Sequence, residues 1–176
     1  MEQSTKKLGT SYGMYLGIAL ILITVLIYAF DVSLMTEWYM FFVNLILIVT
    51  LATMAVKKSK AASASLFSFK EAFTPYFLTV FIGLLLATIF TLLLFNVIDP
   101  EAAETVKELT LEKQAEMLEG FGMTEEQINA GMAEAAKQDN FSLKNIAISF
   151  GGQLIFFSII GLIVALIFRE KDKTNA

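Results

Sequence analysis

The sequence predicts an all-α polytopic membrane protein with four transmembrane helices and an extracytoplasmic helical hairpin between helices three and four. Three observations predict it. Four long apolar runs contain no Asp, Glu, Lys or Arg. The basic residues gather in the segments at one end of those runs and the acidic residues at the other. Apolar residues make up 56% of the 176-residue chain, above the roughly 45–50% usual for a soluble domain. That length suits a single four-helix membrane domain, 1–176.

A helix needs roughly 20 apolar residues to cross a hydrocarbon core about 30 Å thick. The first run, 8–30, follows Lys6 and Lys7. It is too long for the apolar core of a secretory signal, and Tyr28-Ala29-Phe30-Asp31 lacks a small-x-small cleavage pattern, so it reads as an uncleaved anchor. Gly9, Gly13 and Gly17 recur every four residues in it and share one helix face. Such spacing admits a close helix neighbour, either within the chain or in a homodimer.

A short turn leads to the second run, 38–56, where Trp38 and Tyr39 stand at the position of an interfacial anchor. The basic stretch Lys57-Lys58-Ser59-Lys60 and the small residues after it read as a loop. Ser68-Phe69-Lys70-Glu71 then fits a capping box, and Phe69 and Phe73 share a side of the new helix. Pro75 predicts a short interfacial turn and a kink before the third run, 73–98. Thr79, Gly83, Ala87 and Thr91 repeat the small-residue spacing there. The fourth run, 146–168, carries Gln153, Gly161 and Ala165 on one face.

The insert, 99–145, begins with Asp99-Pro100, a helix start with proline at the first helical position. Glu104, Glu108, Glu112 and Glu116 fall on one face of that helix, with Ala103, Val106, Met117, Leu118 and Phe121 opposite. Like charges at i, i+4 cost roughly 0.2–0.5 kcal/mol per pair. The acidic face is therefore either a solvated surface or a surface for a basic partner or cation. Gly120 and Gly122 end the helix. Thr124 and Gln127 make a second capping box, Met123 and Ile128 a hydrophobic staple, and the second helix completes an antiparallel hairpin closed by Asp139 and Asn140. Ser142 caps the fourth span.

Orientation follows from Lys and Arg. Nine basic and four acidic residues flank the runs at the end bearing the termini, a net +5; four basic and thirteen acidic residues lie at the insert end, a net −9. The positive-inside rule places both termini in the cytoplasm.

The chain has no Cys and no His. It therefore has no thiol nucleophile, no disulfide framework and no imidazole base or metal ligand. No catalytic constellation, cofactor motif or metal-ligand spacing is present, and no cofactor is expected. The polar residues inside the spans are amides and hydroxyls. Asn44 and Gln153 read as buried polar groups, either hydrogen-bonded between helices or contacting a solute. Function accordingly reads as a non-enzymatic scaffold or modulator of a membrane partner. The alternative is a small transporter or channel subunit, with Asn44, Gln153, Thr24, Thr50 and Thr53 lining a neutral pore. The expected partners are the lipid bilayer, a membrane or periplasmic protein, and a second copy of the chain; no nucleic acid is expected.

A basic N-terminus, a glycine-spaced first span, a lysine-rich loop and Ser68-Phe69-Lys70-Glu71-Ala72-Phe73 before the third span occur here in order. With the polar helical insert and short basic tail, this arrangement resembles the bacterial membrane-protein family filed as domain of unknown function 4199. The resemblance implies a cell inner-membrane setting and supplies no activity, substrate or catalytic residue.

Overall fold

The computed structural model describes residues 2–64, 66–138 and 140–170. Asp139, Ser65 and the tail charges Lys171, Asp172 and Lys173 lie outside the described residues. The described chain is helical: α1 Glu2–Phe30, α2 Trp38–Ala61, α3 Phe69–Leu93, α4 Pro100–Gly120, α5 Glu125–Ala136 and α6 Leu143–Phe168. A 3₁₀ turn, Val32–Thr36, joins α1 to α2, and a π turn, Leu94–Ile98, extends α3. Four helices are long and apolar enough to cross a membrane: α1, α2, α3 with its π turn, and α6. This is the pattern of a multi-pass membrane protein.

The helices overrun the apolar runs where polar residues still favour helix. α1 begins at Glu2 rather than Leu8, and α6 at Leu143 rather than Ile146. The segment Lys57–Ala61, expected as loop, is the last turn of α2. Lysine is a good helix former, and Lys58 and Lys60 sit where positive charge favours a helix C-terminus. The separate turn expected ahead of the third span is also absent, since α3 runs from Phe69 through Pro75. The Ser68–Glu71 capping box is formed in both directions, so the helix is nucleated one turn upstream. Pro75 therefore falls within the second turn, where it is buried against α1.

Around the ring the order is α1, α3, α6, α2, with α2 also touching α3 across it; α1 and α6 make no contact among the described residues. The small residues set these distances. A methyl added at Gly9 would meet the backbone of Pro75 at 2.9 Å, at Gly13 the Ile82 side chain at 2.7 Å, and at Gly17 Leu86 at 2.6 Å. Gly83 faces Leu16 in the same way, and Thr79 donates across the seam to the Gly9 carbonyl at 3.2 Å. The α1 glycine face is thus filled by α3. Gly161 lies against the Tyr76 ring and brings α6 onto α3. Phe69, Phe73, Phe77 and Phe81 stack along α3 and end edge-on against Phe150 of α6.

The core is asymmetric along the spans. Its fully buried side chains, among them Leu16, Ala52, Val56, Tyr76 and Val80, occupy the half nearer the termini. That end is also latched. Lys60 meets Glu170 at 3.2 Å and donates to the Phe168 carbonyl at 3.1 Å. The Glu170 carboxylate accepts the Phe67 amide at 3.1 Å, and the Glu170 amide donates back to the Phe67 carbonyl at 2.8 Å. The Phe67 amide and Lys60 hold the Glu170 carboxyl below its ordinary range.

At the other end, Asp99 accepts the Ala102 amide as N-cap of α4 and the Tyr28 hydroxyl at 2.7 Å, tying α4 to α1. These two bonds hold its carboxyl below the usual range. α4 ends in a Schellman motif: Met123 donates to the Leu118 carbonyl and Gly122 to that of Glu119, with Gly122 at φ +77°. Thr124 and Gln127 form their capping box, and Lys107 of α4 donates to the Ala136 carbonyl of α5 at 2.6 Å. The apolar side chains of α4 pack down only near its start. Val106 is buried, whereas Met117 and Phe121, expected on the covered face, are 54% and 76% exposed.

Candidate functional site

Towards the insert end the four spans separate around a cavity of about 310 Å³. Its floor is the top of the core: Leu20 of α1, Ile48 of α2 and Leu84 of α3. Its wall is polar. Thr24, Asn44, Thr88, Thr91, Ser149 and Gln153 face it, and Asn140 and Phe141 close it from above. A second chamber of about 290 Å³ continues upward beneath Met35 and Val106. The two share Thr24, Asn44, Thr91 and Phe141, which form the waist between them.

The ring of polar side chains has a simple origin in the sequence. Thr24 lies six residues before the end of its run at Phe30, and Asn44 six residues after the start of its run at Trp38. Thr91 lies seven residues before Ile98, and Gln153 seven after Ile146. At 1.5 Å per residue each sits about 9–10 Å inside the insert-end boundary of its span. Antiparallel helices therefore bring one polar side chain from every span to one level. Ser149 precedes Gln153 by four residues and Thr88 precedes Thr91 by three, so these pairs share helix faces.

Hydrogen bonding distinguishes the members of this ring. Thr24 donates to the Leu20 carbonyl at 3.0 Å, and Asn44 donates to the Met40 carbonyl at 3.0 Å, each within its own helix. Gln153, Thr88, Thr91 and Ser149 have no side-chain hydrogen bond to the described residues. The sequence expectation of two buried amides is corrected here. Gln153 is exposed to the cavity side and Asn44 is half-buried. Neither forms a hydrogen bond to another helix among the described residues.

The roof is held from α3. The π turn directs Phe95 into a small cluster with Leu94 and Val106, and the Phe141 ring packs on Phe95 with centroids 4.4 Å apart. Asn96 donates to the Phe141 carbonyl at 3.1 Å. Such π turns frequently occur at functional positions in helices.

The other sequence candidates fall elsewhere. Gly9, Gly13, Gly17 and Gly83 form the α1–α3 seam, and Gly161 the α3–α6 seam. Ala87 lines the cavity instead of a seam. Thr50 and Thr53, grouped with the pore candidates, do not line it. Glu104, Glu108, Glu112 and Glu116 are all exposed. Lys113 meets Glu116 at 3.4 Å and Glu37 of the α1–α2 connection at 3.5 Å, and the two carboxylates raise its pKa. No group of three or more acidic side chains among the described residues is arranged to hold a metal ion. Thr88 and Ser149 escaped the sequence reading, and Asn140 was read only as closing the hairpin. Comparing the depth of polar residues between spans would have found the ring, but Asn140 joins it only through the roof.

Among the described residues the cavity is lined by no titratable side chain, only by amides, hydroxyls and apolar groups. It can bind by hydrogen bonding; among the described residues it offers no acid, base or nucleophile activated by a neighbour. A family model described as "Protein of unknown function (DUF4199)" matches residues 11–170. No curated protein and no solved structure matches the chain.

Proposed function

The chain belongs to the DUF4199 family of proteins of unknown function, and from that premise we propose that it is a non-enzymatic four-helix protein of the cell inner membrane that scaffolds or modulates a membrane partner. Its working end is the insert end. The observation that carries this reading is the asymmetry of the molecule: the end bearing the termini is packed and latched, whereas the insert end holds a polar cavity beneath Asn140 and Phe141. The net +5 and −9 at the two ends support cytoplasmic termini and an insert on the far side. The Schellman turn and the bond from Lys107 to Ala136 support an antiparallel hairpin in that insert. Met117 and Phe121, exposed on the face of α4 away from Glu112 and Glu116, supply an apolar patch for a membrane or periplasmic partner, and the acidic face offers a second, charged contact. Because α3 fills the α1 glycine face, a second copy of the chain would have to dock elsewhere.

The test uses single cysteines in a chain that has none of its own. Cysteine at Ala130 is expected to react with an impermeant thiol reagent in cells with a permeabilised outer membrane, and cysteine at Ser63 is expected not to. Crosslinkers placed at Met117 or Ala130 are expected to capture one partner, with capture weakened by salt and by Glu112→Gln with Glu116→Gln. Labelling at Ser63, or no specific crosslink from any insert position, overturns the reading.

A second reading, a transporter or channel subunit for a neutral solute, is favoured by the ring of polar side chains drawn from all four spans. A single chain would have to part Leu16, Ala52, Val56 and Val80 to let a solute through. Solute flux in proteoliposomes, at rates that fall with Gln153→Leu, would favour this reading over the first.

A further inference from the structure

We propose that the cavity is a binding site for an uncharged polyhydroxylated group, a sugar or sugar-like polyol, reaching it from the insert end. This rests on the reading that the insert end is the working end. The argument begins with charge. Among the described residues, neither chamber is lined by Asp, Glu, Lys or Arg. A charged ligand about 10 Å inside a span would remain uncompensated, which is strongly unfavourable at such depth. The ligand is therefore neutral.

Hydrogen bonding narrows the class. The amides of Asn44 and Gln153 and the hydroxyls of Thr88, Thr91 and Ser149 each donate and accept. They approach from three different helices. A partner must return donors and acceptors in several directions at once, as a ring of hydroxyl groups does. The four side chains without protein partners, Gln153, Thr88, Thr91 and Ser149, have this capacity unspent.

The distribution of polar and apolar surface favours a sugar over a simple amide. Polar groups form a belt at one level, the floor is Leu20, Ile48 and Leu84, and the aromatic rings of Phe141 and Phe150 flank the space. A pyranose has the matching arrangement, with hydroxyl groups around its edge and C–H groups on its faces. About 310 Å³ lies at the small end of the range for ligand sites, which suits one monosaccharide unit, and the second chamber leaves room for a substituent. The same chemistry is presented by a free sugar and by the sugar headgroup of a glycolipid.

The test uses the full chain in nanodiscs, with two arms. In one, glucose and myo-inositol are titrated into phosphatidylcholine discs, and binding is followed by thermal stability and saturation-transfer NMR. In the other, discs contain monoglucosyl diacylglycerol or, as control, diacylglycerol. Binding in the first arm alone identifies a free solute, and binding in the second alone a headgroup. In either case Gln153→Leu and Thr91→Val are expected to weaken binding about tenfold or more each, because a site built for hydroxyl groups discriminates strongly when its bonds are removed. Lys57→Gln, exposed at the end bearing the termini and lining neither chamber, is expected to leave it unchanged. Gln153 has no protein hydrogen bond and is exposed, so its loss leaves the fold intact and the melting curve without ligand serves as check. No binding in either arm, or equal binding by the variants and the parent, overturns the proposal and leaves water as the occupant. Such a result with insert crosslinks intact removes only the ligand; loss of Ala130 labelling removes the underlying reading instead.

Discussion

Replacing Gly13 by alanine tests the α1–α3 seam directly. The added methyl would stand 2.7 Å from the Ile82 Cβ and 3.1 Å from both its Cγ2 and the Leu78 carbonyl oxygen. Carbon atoms rest at about 3.5–4.0 Å, so the helices must move apart locally by roughly 1 Å. The Ile82 Cβ is fixed by the backbone and cannot rotate away. Overpacking of this kind costs about 1–3 kcal/mol, while alanine returns up to about 1 kcal/mol of helix propensity. With so rigid a neighbour the net destabilisation is expected at about 1–2 kcal/mol. Gly151, on α6, is the matched control: an added methyl meets nothing within 4 Å, so Gly151→Ala is expected to be neutral or to stabilise by up to about 1 kcal/mol. Gly13→Leu is expected to prevent α1 from seating at all. Reversible unfolding in mixed dodecyl maltoside and SDS micelles reads the difference. If Gly13→Ala and Gly151→Ala unfold at the same SDS fraction, the seam is looser than the geometry states and the argument fails.

Three further perturbations follow from contacts at the two ends. The Glu170 carboxyl has a depressed pKa in the folded chain, so its contribution is present above the unfolded carboxylate value and is lost as pH falls through the folded one. The melting-temperature gap between the parent and Glu170→Gln should therefore shrink as pH is lowered from 6 towards 3; a gap independent of pH refutes this. Asp99→Ala removes the α4 N-cap and the acceptor of the Tyr28 hydroxyl, and a capping loss of about 0.5–2 kcal/mol should appear as faster amide exchange in the first turn of α4. Thr124→Ala should do the same in α5 while leaving exchange in α6 unchanged, because α5 contacts only α4.

Much of this architecture is legible in the residues because membrane burial imposes long uncharged runs and because helix caps are local. Ser68, Thr124 and Ser142 all cap where their spacing to Glu71, Gln127 and the fourth span predicts. The glycine series of α1 is equally plain, but its partner is not: nothing local says that α3 rather than α2 or a second chain fills that face. The misjudged boundaries have one cause. Lys57–Ala61 and Glu2–Lys7 are polar, and polarity ends a membrane span without ending a helix. Pro75 misled for a related reason, since the capping box upstream had already committed the chain to helix. The cavity was least legible. Asn44 and Gln153 were visible as polar residues, but that they bond no neighbouring helix depends on how far the spans diverge, a property of packing along their whole length.

The pairing of α1 with α3 also has a consequence for biogenesis. Gly9 and Pro75, which touch in the finished protein, are separated by 66 residues of synthesis. At about 5–20 residues per second, roughly 3–13 s pass between their emergence from the ribosome. Once its residues to Phe30 have emerged, the first helix waits out the rest of that interval with a bare backbone groove that α3 has yet to fill. The groove that makes the tightest seam in the mature fold is, for those seconds, an unoccupied docking site on a nascent chain. An insertase or chaperone that shields it would decide whether α3 or a stranger arrives first.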